Sequence, residues 1–265
     1  MPNPPSPSPA PRSDPQFANT LERGLRVLQC FSANAPDLGN REIAEMTGLP
    51  KPTVSRLTYT LVELGYLRRR PDSARFEVGN GVLCLGYPVL ARLAFKRVAI
   101  PHMRHLALGI DGTVSVSVRD RLRMVTLETY TKRDVMRRRP ATGVTLELVG
   151  TATGTGWMVG ATTSERDRAL REVAHHLPDE IDRFRADFDA SLKQMAHHGY
   201  VLRRNSIRAD TTTLATPMRR RPGDELLVLV CAFNTPPQNA ESAQHRAGEL
   251  LLEASRKISE ELLAS

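Results

Sequence analysis

The sequence predicts an α+β chain of two units, and two stretches carry that prediction. Residues 41–67, REIAEMTGLPKPTVSRLTYTLVELGYL, read as two short helices around a tight turn. Residues 112–118, GTVSVSV, alternate strictly, as a strand does. More alternating runs follow, separated by helical stretches. Neighbouring strands with helices between them suggest an antiparallel sheet with flanking helices. At 265 residues the chain is long enough for two domains, each with its own core.

Residues 1–17 are rich in Pro and Ser and predict a disordered tail, with Arg12 the cation that such an arm would bring to DNA. MPNPPSPSPAPRSDP has no apolar core, so it predicts neither a signal peptide nor an anchor. Residues 18–79 predict a first domain. Leu21, Leu25, Val27 and Leu28 make an amphipathic helix. Ile43, Ala44 and Met46 begin the next, which Gly48 stops, as a residue able to adopt positive φ does. Pro50 and Pro52 bracket the start of a third helix, where the first N–H groups have no partner to lose. Val54, Leu57, Leu61 and Leu64 then give one apolar stripe at spacings of three and four. Tyr66–Arg70 and Arg75–Val78 read as two short strands around the turn Pro71-Asp-Ser-Ala74. Three helices followed by a basic hairpin make a winged helix-turn-helix. A small helical bundle with a solvated face is the competing reading.

That geometry suits the major groove of DNA. Lys51, Thr53, Ser55, Arg56, Thr58 and Tyr59 lie off the apolar stripe. They offer cations for phosphates and short donors for base edges. Arg56 is the first choice for a base contact, because a guanidinium reaches guanine O6 and N7 together; a phosphate clamp is the equal alternative. Arg41 at the start of the second helix, with Arg69, Arg70 and Arg75 on the wing, completes the candidate DNA-binding set.

Residues 80–98 predict an apolar linker helix, kinked or broken at Pro88 and suited to packing between subunits. Residues 99–265 predict the second domain. Met124–Tyr130, Gly199–Leu202, Thr211–Met218 and Leu226–Phe233 read as strands. Residues 164–174, 181–198 and about 238–263 read as helices. Leu250, Leu251, Ala254, Ile258 and Leu262 form a stripe in the last, with packing on its own sheet the favoured use. Residues 146–160 read as a Gly/Thr-rich loop entering a helix. Gly150, Thr151, Thr153, Gly154 and Thr155 there, with Thr211 and Thr213 on one side of a strand, make a candidate small-molecule site. Hydroxyls and N–H donors near arginines suit an organic acid. The plainer reading is a loop that only turns, beside threonines chosen for strand propensity.

The net charge of +8 favours a polyanionic partner without naming it. Arg68–Arg70 lies in the first domain; Arg137–Arg139, Arg203-Arg204 and Arg219–Arg221 read as solvated faces. Cys30, Cys84 and Cys231 are scattered, which suits a reducing cytoplasm rather than a disulfide scaffold. No run is apolar enough to span a membrane. No dinucleotide, P-loop or Gly-x-Ser-x-Gly pattern occurs, and no third ligand joins His102 and His105, so neither an enzyme, a cofactor nor a metal is expected.

The pattern Leu21-Glu-Arg-Gly-Leu-x-Val-Leu28, Glu42-Ile-Ala, Thr47-Gly-Leu-Pro-Lys51, Thr53-Val-x-Arg56-Leu and Leu61-Val-Glu-Leu-Gly-Tyr-Leu67 resembles the IclR family of bacterial transcriptional regulators. Phe76-Glu-Val-Gly79 and Leu83-x-Leu-Gly86 extend the likeness. In the second half, Leu146-Glu-Leu-Val-Gly-Thr-Ala-Thr-Gly154 is similar to a family loop that carries proline at Glu147 and histidine at Val149. Gly199-Tyr200 and Leu214-Ala-Thr-Pro217 match as well, but Arg203, Arg204, Asn205 and Ser206 stand where the family often has acidic residues. The resemblance implies a GAF-like effector domain after the linker helix. It also implies a homodimer or homotetramer on a palindromic double-stranded DNA operator, released or recruited by a small-molecule effector. A non-specific or architectural DNA-binding protein without effector control is the alternative.

Overall fold

The computed structural model describes residues 15–32, 35–91, 95–131, 142–204, 211–234 and 240–264. Arg12, Arg137–Arg139, Asn205 and Ser206 lie outside them. The chain divides into two compact units, Met1–Leu93 and Ala94–Ser265.

In the first unit, α1 (Asn19–Gln29), α2 (Asn40–Thr47) and α3 (Lys51–Glu63) precede β2 (Leu67–Arg69) and β3 (Arg75–Val78). One element goes beyond the sequence expectation: β1 (Asp37–Gly39) pairs with β3, giving a three-stranded antiparallel sheet in the order β1-β3-β2. Gly48 caps α2 at φ 68, the left-handed geometry that ends a helix in a sharp turn. Val27, Leu38, Ile43, Val54, Leu61, Leu67 and Phe76 form one core. Each such side chain contributes roughly 1.5–3 kcal/mol on burial. Two sequence expectations need correction here. Leu21 and Leu25 are exposed because α1 packs through Val27, with Leu28 against the same core. Leu64 is exposed because α3 ends at Glu63 and Leu64 caps it.

The helix α4 (Asn80–Ala91) closes the first unit and runs through Pro88. The second unit opens with α5 (Phe95–Ile110), which likewise runs through Pro101, so helix continues past the point where the sequence suggested a boundary. β4 (Thr113–Asp120), β5 (Arg123–Thr131), β6 (Thr145–Glu147), β7 (Val201–Arg204), β8 (Thr211–Pro217) and β9 (Leu227–Asn234) form an antiparallel sheet, ordered β6-β5-β4-β9-β8-β7. α5 and α9 (Ala240–Ala264) pack on each other and on this sheet. Leu251, Ala254 and Ile258 of the α9 stripe are buried, Leu250 and Leu262 partly so. α6 (Ala152–Gly160), α7 (Thr163–His176) and α8 (Ile181–His198) share a core with Met124, Ala215, Val228 and Val230, which marks their face of the sheet.

α7 begins with a reciprocal cap. Thr162 Oγ1 accepts from the Glu165 N–H, and Glu165 Oε2 accepts from the Thr162 N–H at 2.8 Å. Arg220 Nη2 donates to the same carboxylate at 2.5 Å. This arginine, then the Thr162 donors, pulls the Glu165 carboxyl from 4.5 down to about 2. A lowered carboxylate stabilises the fold fully above its unfolded value, and that contribution drains away as pH falls through the folded one. The expected result is that Glu165→Gln lowers Tm near neutral pH. The gap to wild type should close between pH 4.5 and 2; a gap constant across that window would assign Glu165 no titrating role.

Candidate nucleic-acid interface and effector site

Geometry sorts the DNA-binding candidates. Lys51, Ser55, Arg56 and Tyr59 are exposed along one side of α3, and Thr53 is half-buried beside them. Tyr59, 67% exposed, is on the same side. Arg56 has no ion pair among the described residues, so its guanidinium faces solvent uncommitted. Thr58 is different and is set aside as a DNA contact. It is 1% exposed, and its Oγ1 lies 3.0 Å from both the Val54 carbonyl oxygen and Asn40 Oδ1. Val54, Thr58 and Leu61 are the buried positions of α3, and Thr58 ties that face to the start of α2.

The wing arginines also divide. Arg75 Nε lies 3.2 Å from Asp37 Oδ1, and its Nη1 lies 2.9 Å from Glu42 Oε2. Arg75 Nη2 also donates to the Asp37 carbonyl at 2.8 Å. Arg70 pairs with the other Asp37 oxygen, and Arg68 with Glu77 at 2.9 Å. Arg70, then Arg75, holds the Asp37 carboxyl below the usual carboxylate range. The Gly39 N–H, then Arg75, does the same for Glu42. Arg70 and Arg75 therefore fasten β1 and α2 to the wing, and reaching DNA would break those pairs. Arg69 is exposed with no ion pair among the described residues. Arg41 pairs with Glu45 at 2.9 Å, but both side chains are mostly in water, where such a pair is worth only about 0–1 kcal/mol.

The Gly/Thr segment is helix from Ala152, not loop. Its residues mostly serve the helix itself. Thr151 is the N-cap: its Oγ1 accepts from the Gly154 N–H at 3.0 Å and donates to the Glu147 carbonyl at 2.7 Å. Thr155 Oγ1, fully buried, donates back to the Thr151 carbonyl at 2.8 Å. Gly150 sits at φ 77 in the turn before the cap. The remaining glycines let α6 lie flush. A Cβ on Gly154 would fall 1.8 Å from the Leu148 carbonyl oxygen. One on Gly156 would meet Ala215 Cβ at 3.0 Å, and one on Gly160 would meet Pro217 Cβ at 2.2 Å. Thr153 differs from its neighbours in having no such part in the helix. It is 3% exposed, one turn before Trp157.

Thr211 and Thr213 alternate with Ala215, which packs under α6, so both lie on the α6 face. Thr213 stands opposite Arg203, whose Nη2 is 2.6 Å from Asp187 Oδ1 of α8. The same face carries residues that the sequence motifs do not pick out. Ser115 and Ser117 stand opposite Val230 and Val228. Thr129 and Thr126 stand opposite those serines on β5. At the far end, Arg119 is half-buried, pairs with Glu172 at 2.6 Å, and lies over the Trp157 ring at 4.6 Å. The signal in the sequence is the Ser-Val-Ser alternation itself, since serine on a covered sheet face is anomalous. Among the described residues no His, Cys, Asp and Glu side chains gather into a metal site. Burial raises the Cys30 and Cys231 thiols to about 11 and about 12, so neither is a thiolate at neutral pH. No helix of the described residues is long and apolar enough to cross a membrane.

Comparison with known proteins places this geometry. Residues 20–71 match the IclR helix-turn-helix domain, and residues 87–260 match the bacterial transcriptional regulator IclR C-terminal domain. The chain is 34% identical over 204 residues to the HTH-type transcriptional regulator TsaQ1/TsaQ2 of Comamonas testosteroni, spanning 76% of this chain and 73% of that one. A crystal structure of an IclR family transcriptional regulator from Brucella abortus superposes with a TM-score of 0.74 at 36% identity, over 93% of this chain and 94% of that one. An IclR homologue from Microbacterium hydrocarbonoxydans, solved in complex with 4-hydroxybenzoate, shares the fold at TM-score 0.73 and 22% identity, over 93% of this chain and all of that one. The homologues are named regulators rather than enzymes, and the second unit has the GAF-like arrangement of the IclR C-terminal domain. With both domains matched in order, the chain belongs to the IclR family of DNA-binding transcriptional regulators.

Proposed function

We propose that this regulator reads a specific operator through α3, and that a small organic acid bound in the second unit modulates that binding. The observation that carries the reading is the side of α3 on which Lys51, Ser55, Arg56 and Tyr59 are exposed together, directly after the left-handed turn at Gly48. A helix presented this way enters the major groove with its first turns over base edges. Lys51 and Arg69 supply phosphate contacts, Arg56 and Ser55 base contacts, and Thr53 joins at the rim. Arg41 reaches the backbone at little cost, given how exposed its pair with Glu45 is. One such helix reads few base pairs. A two-fold homodimer, or a homotetramer built of such dimers, on an inverted repeat doubles the read, with half-sites about 34 Å or a multiple apart.

Thr153, Thr211 and Thr213 line the effector site between α6 and the sheet, with the N-terminal turn of α6 adding its dipole. The 4-hydroxybenzoate held by the Microbacterium relative supports an acid as the ligand class. The test is binding of the whole chain to its own upstream DNA and to a scrambled duplex, across a salt series. A preference of about a thousandfold at physiological salt is expected of a specific regulator. Equal and steeply salt-dependent binding to both would leave charge as the source of affinity and remove operator reading.

A further inference from the structure

Ser117, Thr126 and Thr129 are 1%, 1% and 9% exposed, and none of their hydroxyls has a hydrogen-bond partner among the described residues. A buried hydroxyl in that state destabilises the fold, and folded proteins contain few of them. Here three fall on one face of two adjacent strands. A bulge puts them there. The register of β4 and β5 shifts between Val116 and Ser117, so Ser115 faces Thr129 while Ser117 faces Thr126. Without the shift, Thr126 and Thr129, three residues apart, would point to opposite faces.

The face they share is the α6 face, because Ser117 stands opposite Val228, which packs with Trp157 and Met158. α6 itself lies against β4 and β5 as well as β8 and β9. Its Thr153 is four residues before Trp157, on the same side of the helix, and Trp157 sits under Arg119 of β4. The arginines bordering this face are already engaged, Arg119 by Glu172 and Arg203 by Asp187, each at 2.6 Å. The hydroxyls of Ser117, Thr126 and Thr129 have no such partner among the described residues.

We infer that Ser117, Thr126 and Thr129 hold the carboxylate of the effector, an inference that rests on the acid-sensing reading above. The chemistry fits on both sides. A carboxylate offers two oxygens and about four acceptor sites but no donor, and three hydroxyls offer three O–H donors. Hydrogen bonds to an ionised acceptor are shorter and stronger than neutral ones. Without ligand the fold bears the cost of unpartnered hydroxyls, and the acid relieves it on binding. The hydroxyl set, rather than an arginine, is then what selects a carboxylate in this regulator.

The test uses the full chain and Thr126→Val, Thr129→Val and Ser117→Ala, which remove one hydroxyl each at nearly constant shape. Thermal unfolding is measured without ligand. Acetate, pyruvate, benzoate and 4-hydroxybenzoate are then titrated by calorimetry. For Thr126→Val, the expected results are a ligand-free Tm about 2–4 °C above wild type and an affinity for the best acid about tenfold or more weaker. A lower ligand-free Tm would show that the hydroxyl already has a structural partner and would overturn the inference. A raised Tm with unchanged affinity in all three variants would also overturn it, while leaving acid sensing intact. Failure of wild type to bind any of the four acids would overturn the acid-sensing reading and this inference with it.

Discussion

Gly154→Ala is expected to destabilise the C-terminal unit by about 3 kcal/mol or more, a far larger loss than glycine-to-alanine changes in helices usually bring. In a helix that exchange normally stabilises by roughly 0.5–1 kcal/mol, because alanine has less conformational freedom to lose. Gly154 reverses the sign because the added Cβ would lie 1.8 Å from the Leu148 carbonyl oxygen. Backbone cannot rotate away as a side chain can, so α6 must lift or the 148–151 turn must move. Either movement breaks the Thr151 cap, since the Gly154 N–H is what Thr151 Oγ1 accepts from. It also unseats Trp157 and Met158 from the core below. Calorimetric unfolding should show one transition displaced downward by about 6 °C or more, at roughly 2–4 °C per kcal/mol for a unit of this size. Gly86→Ala is the control. Its Cβ would meet nothing within 4 Å in the middle of α4, so it should be neutral or slightly stabilising. Equal, small effects at both positions would mean that α6 is not seated as tightly as the Gly154 contact requires.

The same segment shows where local sequence stops being informative. Glycine and threonine weaken helix propensity, so GTATGTG reads as loop. Close approach to Leu148, Ala215 and Pro217 overrides that preference, and the partners lie up to about 60 residues away in the chain. Local composition cannot report such contacts. By contrast, the helix-turn-helix is legible because its determinants are local: a period of 3.6, a helix-stopping glycine, and prolines where N–H groups have no partner. Even there, residue type misleads at one position. Val54, Thr58 and Leu61 follow helical spacing, yet threonine reads as polar and so falls to the outer face. Spacing is the better guide. Arg70 and Arg75 read as DNA contacts because Asp37, which holds both, belongs to a three-residue strand too short for any periodicity. The hydroxyls of β4 and β5 are hidden for a different reason. Alternation puts Ser115 and Ser117 on one face, but the bulge that brings Thr126 and Thr129 to it is a property of pairing, not of either strand.

Arg56→Ala should weaken operator binding by about 1–3 kcal/mol, a factor of roughly 5 to 150. The size follows from what the side chain does in the free protein, which is nothing structural: Arg56 is exposed and has no ion pair among the described residues. Removing it should leave the fold and its Tm unchanged, so the whole effect appears in binding. Thr58→Val provides the opposite signature. Losing the hydroxyl between Val54 and Asn40 should cost stability, with operator affinity held within about twofold once the domain is folded. The form of the Arg56 effect decides between its two candidate contacts. If the guanidinium reads guanine, affinity falls for the operator but little for scrambled DNA, and sequence preference relaxes at one base pair of each half-site. If it clamps a phosphate, both duplexes lose affinity alike and the slope of log K against log salt shrinks by about one. Arg69→Ala calibrates the second pattern, on the proposal that this exposed wing cation contacts a phosphate. Should Arg56→Ala leave operator affinity unchanged, Arg56 is not part of the interface, and Lys51, Ser55 and Tyr59 on the same side of α3 would have to account for it.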